Sequence, residues 1–213
     1  MKKSASIPKP SAKDKLLNAA LRVVRTKGYS GTTVDDLCAA AGVTKGAFFH
    51  HFESKDALAV AAADYWSTVT ASVFAGADYR KLSDPLDRVL GYVDFRKALV
   101  RGQLPEFTCF VGTLVQEAFD SNAEIRAACE RSIFGHAAEV AKDLAEAKKK
   151  YCPRADWSAE SVGVFTQAAI QGAFIVAKAK DDPRAALECI EHLRRYVAGL
   201  FPSVNHRREV KQS

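Results

Sequence analysis

The sequence predicts an all-α fold, and three observations carry that expectation. Helix-start signals recur along the whole chain, with Ser, Thr or Asp standing just before apolar-periodic segments. Apolar residues repeat at helical spacing, while the strict alternation of a half-buried strand is absent beyond short accidents. An apolar content of 48% over 213 residues is enough to bury a full core, in one large domain or in a small and a larger one sharing an interface. The punctuation gives nine helices. They divide into a three-helix unit at residues 11–56 and a larger helical unit at 57–204, flanked by an unordered basic arm, 1–10, and an unordered tail, 205–213.

Ser11 with Asp14 forms a capping box that opens the first helix; Leu17, Leu21 and Val24 give it an inner face, and Gly28 ends it. Thr33 with Asp36 repeats the box, hydroxyl and carboxylate satisfying free amides at a helix start. Val34, Leu37 and Ala41 make one buried stripe before Gly42 turns the chain. Thr44 caps a short third helix. Val43 and Phe48 are placed for a hydrophobic staple, and Phe48 with Phe52 anchors the helix, so its outer face must carry Lys45, Gly46, Phe49 and His50. Ser54 caps a longer fourth helix with Leu58, Ala61, Tyr65, Trp66, Val69 and Val73 along one side; at about 1.5 Å per residue it reaches about 30 Å. A linker runs from Gly76 to Asp84. Asp84 before Pro85 starts a helix that continues to about Val100, and Gly102 to Glu106 breaks it. Phe107 to Phe119 reads as a buried helix, apolar all round, and Ser121 with Glu124 opens a long helix through Lys150. Pro153 marks a loop, Ser158 begins the next helix, and Asp182 with Pro183 begins the last.

The stretch TTVDDLCAAAGVTKGAFFHHFESK, Thr32 to Lys55, is therefore helix, tight turn, short helix, the grammar of a helix-turn-helix DNA reader. Here the chain resembles the TetR family of bacterial transcriptional regulators, whose pattern TTVxxIAxxAGVxxGxxYxHFxSKxxL is matched from Thr32 through Leu58. The resemblance implies a DNA-binding module followed by a ligand-binding and dimerisation domain. It implies a homodimeric regulator, as a rule a repressor, that binds a palindromic double-stranded DNA operator and is released by a small-molecule effector; a cytoplasmic location is expected from the scattered, unpaired cysteines. With no nucleophile elbow, phosphate loop or metal motif along the chain, no enzymatic activity and no cofactor are expected. On the first turn of the third helix, Thr44, Lys45, Gly46 and His50 are placed to reach base edges. Lys45 can donate to guanine or to phosphate, and Gly46 leaves room for a thymine methyl. Thr33 and Lys55 stand at flanking helix starts, suited to phosphate. The family usually has Tyr where this chain has Phe49, which can pack on sugar carbons but cannot donate to phosphate.

Charge supports a polyanion partner. Residues 1–60 hold ten Lys and Arg against five Asp and Glu, while the other 153 residues hold twenty-one against twenty. Such a surplus on a small unit favours DNA through counterion release, which adds affinity without sequence information. The arm MKKSASIPKP resembles neither a secretion signal nor a membrane anchor, and no apolar run approaches the roughly 20 residues that span a bilayer. Five scattered cysteines without a CxxC pair read as reduced thiols with no zinc site and no disulfide. His50 and His51 point about 100° apart on a helix and lack a ligand at useful spacing, so no metal is expected, and His51 is expected partly buried beneath the reader.

In the larger unit, Trp66, Phe107, Phe110, Leu114, Phe134 and Phe165 supply aromatic and apolar bulk, and Gln167 and Gln171 are polar on an otherwise apolar helix. An apolar cavity with a few convergent polar groups is how small-molecule sites are built, and these eight residues are the candidates for an apolar or aromatic ligand. Two stripes suit either an internal core or a dimer interface: Val162, Phe165, Ala169, Gly172 and Val176, and Leu187, Ile190, Leu193, Val197 and Leu200. Two other classes compete with this one. One is a redox-responsive regulator acting through Cys109 or another thiol, although Cys109 is expected on an apolar helix, where a thiol is inert; the other is an enzyme with Cys109 as nucleophile and His136 as base, against which no nucleophile elbow, phosphate loop or metal motif accompanies the pair.

Overall fold

The computed structural model describes residues 10–202; the basic arm before Pro10 and the tail from Asn205 lie outside them. The described residues form ten α-helices and no strand: α1 Ala12–Lys27, α2 Val34–Ala41, α3 Lys45–His51, α4 Lys55–Ala75, α5 Pro85–Ala98, α6 Leu104–Phe107, α7 Phe110–Ala118, α8 Ala123–Tyr151, α9 Ala159–Lys180 and α10 Pro183–Gly199. A single 3-10 turn, Asp78–Lys81, sits inside the expected linker. Capping boxes at Ser11 and Thr33 and side-chain caps at Thr44, Ser54, Asp84, Ser158 and Asp182 open the helices where the sequence places them.

Two elements differ from expectation. The apolar run Phe107 to Phe119 is not one helix, because Thr108 and Cys109 are extended and separate α6 from α7. Pro105 in the first turn and the reciprocal capping of Gln103 and Glu106 make the supposed break a helix of its own. The long helix is capped by Asn122 and not by Ser121: Asn122 Oδ1 accepts from the amides of Glu124 (3.1 Å) and Ile125 (3.0 Å).

Two buried clusters organise the packing. One joins Phe74, α5, the second half of α8, α9 and α10. The other lies under the helix-turn-helix and is completed from outside it, by Phe110, Val111 and Leu114 of α7 and by Ile125, Ala128 and Cys129 of α8. Polar contacts follow the same seam. Glu117 on α7 accepts from the amides of Tyr29 (2.9 Å) and Ser30 (2.8 Å), and Asp56 takes the Tyr29 hydroxyl and, at 2.9 Å, the Asn122 amide. Burial disfavours the Glu117 charge, but those amides outweigh it and hold the carboxyl below its ordinary range.

Gly163 lets α9 lie against α8, since a Cβ there would stand 2.7 Å from the Ala137 carbonyl oxygen. By length and composition α9 could cross a bilayer, so the sequence does hold one such run; its inner face is packed against α8 and α10. The α10 stripe closes the internal core, with Ile190, Leu193 and Val197 buried. Asp143 ties α8 to the linker and α5 through Arg80 (2.8 Å) and Arg88 (2.7 Å).

Phe110 is fully buried between the two parts of the seam. Phe110→Ala should lower unfolding free energy by about 3–5 kcal/mol, the range for a large-to-small change at a close-packed aromatic. Urea unfolding of the full chain followed by circular dichroism measures it.

Candidate nucleic-acid interface and ligand cavity

The reader is fixed from its caps outward. Thr33 Oγ1 accepts from the Asp36 amide (3.1 Å) while Asp36 accepts from the Thr33 amide (2.8 Å), and Lys27 adds an ion pair to Asp36 at 2.7 Å. Hydrogen bonds from Lys27 and Thr33 hold the Asp36 carboxyl well below its ordinary range. Gly42 ends α2 in the left-handed region, φ 62°, where a side chain is strained. Thr44 then caps α3 by accepting from the Ala47 amide at 3.2 Å. Phe48 and Phe52 are buried with ring centroids 6.0 Å apart, which turns the opposite face of α3 to solvent.

That face carries Lys45, Gly46, Phe49 and His50, all exposed, with Phe49 at 55%. His51 is exposed as well and not tucked beneath the reader, because the core contact is made by Phe48 and Phe52. Lys45 lies 2.8 Å from Asp35, an exposed pair of the weak, exchangeable kind. A Cβ on Gly46 would meet only Thr44 Oγ1, at 3.8 Å, so no protein neighbour requires glycine there. Lys55 is engaged differently from the phosphate-facing role read from sequence. Its ammonium donates to the carbonyls of Tyr29 (3.1 Å) and Thr32 (3.0 Å) and lies over the Tyr29 ring, tying down the loop before α2.

Two cavities flank the second half of α4. One, of about 490 Å³, lies among α4, the linker turn, α5 and α8. The other, of about 400 Å³, is enclosed by α1 and α4 to α9. Thr70, Phe74, Ser132 and His136 line both. Trp66, Phe107, Gln167 and Gln171 from the predicted set line the second cavity. Phe110 and Leu114 do not, because α7 turns them into the core under the reader, and Phe134 and Phe165 are 53% and 45% exposed on outer helix faces. The sequence reading missed Arg25 and Arg96. A signal existed: Arg96 interrupts the inward stripe Leu86, Val89, Val93, Val100.

Arg25 binds the two units together. Its guanidinium donates to the carbonyls of Leu21 (2.7 Å), Glu106 (3.2 Å) and Thr108 (3.3 Å) and lies over the Trp66 ring at 5.1 Å. Deeper, Gln167 Nε2 donates to the Tyr92 hydroxyl (2.9 Å), which is 3.1 Å from His136 Nε2. Burial, aided by the Arg96 charge, pushes His136 down to about 4 and leaves it neutral near pH 7. Cys109 is the N-cap of α7, not a residue within an apolar helix; its sulfur accepts from the Gly112 amide at 3.4 Å. It and His136 make separate contacts, with no nucleophile–base hydrogen bond between them.

Comparison with known proteins decides the family. Residues 16–62 match bacterial regulatory proteins of the tetR family, and residues 85–192, half of the chain, match the C-terminal domain of LmrA/YxaF-like transcriptional regulators. The chain belongs to the TetR family. It is a helix-turn-helix transcriptional regulator and not an enzyme, which removes the Cys109–His136 catalytic reading. The HTH-type transcriptional repressor DhaR of Mycobacterium sp. is 50% identical over 42 residues, 20% of this chain and 21% of that protein. IcaR of Staphylococcus aureus, a negative transcriptional regulator of the icaADBC biofilm operon, is 37% identical over 46 residues, 22% and 25% of the two chains. These matches span a quarter or less of each curated relative. The TetR regulatory protein of Rhodobacter sphaeroides has a TM-score of 0.76 at 25% identity, covering 86% of this chain and 97% of its own. A TetR-family regulator from Agrobacterium tumefaciens shares the fold, with a TM-score of 0.76 at 16% identity, 87% and 96% covered.

The neutral His136 of this TetR protein makes a pH prediction. Its folded-state pKa lies below the ordinary 6.5, so the unfolded chain takes up a proton first as pH falls. The stability it contributes is full above about pH 6.5 and is lost between there and about pH 4. Across that window wild type should lose on the order of 2 kcal/mol more than His136→Gln, read from urea midpoints at several pH values.

Proposed function

We propose that this TetR regulator is a homodimeric repressor that holds a palindromic operator with two reading heads and releases it when a small apolar or aromatic molecule enters the 400 Å³ cavity. The observation that carries the release step is that α1 is part of the cavity wall. Asn18, Leu21 and Arg25 line it, so an occupant touches the helix on which the reader is packed. Displacing Arg25 from Trp66 and from the carbonyls of Glu106 and Thr108 would shift α1 against α6 and change the separation of the heads. The repressor names of DhaR and IcaR support the sign of regulation.

On DNA, α3 would enter the major groove with Thr44, Lys45, Gly46 and His50 toward base edges and phosphate, Phe49 against sugar and Thr33 at the backbone. The space at Gly46 supports this: a glycine whose Cβ would meet only Thr44 Oγ1, at 3.8 Å, suits close approach of a duplex. A dimer face is offered by the outer side of α9 and α10. Phe165, Ala168, Ile175 and Val176 are exposed, and the Phe165 ring packs at a tilt against exposed Tyr196, centroids 4.9 Å apart. Selection of genomic fragments by the purified protein, then titration of the recovered duplex, tests the reading. One palindrome at two chains per site is expected, and only salt-steep, sequence-independent binding would sink it. Lys45→Ala should weaken the operator complex and lower the magnitude of the salt slope by about 1.

A second reading, redox control through Cys109, is favoured by its place. The half-buried thiol caps α7 and lines the cavity. Under it, N-ethylmaleimide would dissociate the wild-type operator complex and spare Cys109→Ser; equal loss in both would discard this route.

A further inference from the structure

Along α5 the charged side chains are answered by partners. Arg88 binds Asp143 at 2.7 Å and also reaches Glu146, Asp94 receives Arg194 at 2.6 Å, and Lys97 binds Glu191 at 2.8 Å. Arg96 differs. Its guanidinium lines the 400 Å³ cavity between the rings of Phe74 (5.4 Å) and Phe174 (5.9 Å), and it makes no ion pair or hydrogen bond with any described residue. Half-buried and without a carboxylate partner among the described residues, the guanidinium fork is available to an anion in the cavity.

The charge inventory of this cavity is uneven. Arg25 and Arg96 face a single carboxylate, Glu106, whose Oε2 accepts from the Gln103 amide at 2.7 Å. Arg25 is already taken up by three backbone carbonyls. His136 adds no positive charge at neutral pH, being held neutral by burial. The neighbouring cavity is the control within the same molecule: there Arg80 is met by Asp143 and Arg131 by Asp64. Gln171, on α9, also lines this cavity, and its side-chain amide likewise makes no hydrogen bond with a described residue.

We propose that the effector is an organic monoanion, a planar carboxylate on an aromatic body. Its carboxylate is received by Arg96 in two parallel N–H···O bonds, the geometry a guanidinium fork supplies. The aromatic body lies among Trp66, Phe107 and Phe174. The inference rests on the effector cavity proposed above and specifies the chemistry of its occupant.

The test uses the full-length protein, calorimetric titration with 2-naphthoate and with its uncharged counterpart 2-naphthamide, and release of the operator followed by fluorescence anisotropy. Wild type should bind the carboxylate at least about tenfold more tightly than the amide, as expected for a charge-assisted pair. Arg96→Gln should erase that preference while keeping its affinity for the amide, and Arg96→Lys should keep part of it. If Arg96→Gln does not fold, the wild-type pair of titrations and Arg96→Lys still decide. Equal affinity for the two probes, a preference that survives in Arg96→Gln, or no binding of either would overturn the proposal. The amide releasing operator as well as the carboxylate would defeat the anion inference and leave the effector cavity standing. Arg96-dependent carboxylate binding with the operator retained would support the anion site and defeat release through this cavity.

Discussion

Everything in this molecule hangs on how α7 and the start of α8 are shared between the reader and the helical body. Phe110 and Leu114 fill the core beneath α1 to α4, and Glu117, one turn beyond Leu114, takes the two amides at the start of the loop before α2. A three-helix unit of this size buries little surface alone. By borrowing two helices it gains a complete core, and the orientation of its reading helix becomes a property of the body.

The polar groups at the seam are arranged with the same economy. Lys55, Glu117 and Asp56 all converge on Tyr29 or its neighbours, so the loop before α2 has carbonyls and amides satisfied from two helices, α4 and α7, and its Tyr29 hydroxyl taken by α4. A buried backbone segment needs such partners, because an unmade hydrogen bond costs more than a made one contributes. Outside the seam the outer face of α3 is the reverse: Lys45 and Asp35 form an exposed pair that solvent competes for and that costs little to break.

The cavity joins these two regimes. Its lining mixes the rings of Trp66, Phe74, Phe107 and Phe174 with polar groups that include Arg25, Arg96 and Gln171, and its α1 wall is the helix on which the reader is built. Tyr92, His136 and Gln167 satisfy one another, whereas Arg25 joins α1 to the end of α6 through the carbonyls of Glu106 and Thr108.

Local chemistry was legible in the sequence wherever one residue and its near neighbours decide the outcome. The caps at Ser11, Thr33, Thr44, Ser54, Asp84, Ser158 and Asp182, the left-handed turn at Gly42 and the outward face of α3 follow from hydrogen bonding and periodicity over a few residues, and they gave the fold class and the reader. The split at Thr108 and the cap at Asn122 rest on which of several capable residues takes the cap, a choice that packing makes. The sequence could also supply a pool of aromatic residues, but hydrophobicity does not say which of two buried destinations a ring reaches. Only the tertiary structure sent Phe110 and Leu114 into the shared core, left Phe134 and Phe165 at the surface, turned the stripe of α10 inward and brought Arg25 of α1 to Trp66 of α4. Each of these depends on contacts between residues far apart in the chain, where the position of one helix is set by the others.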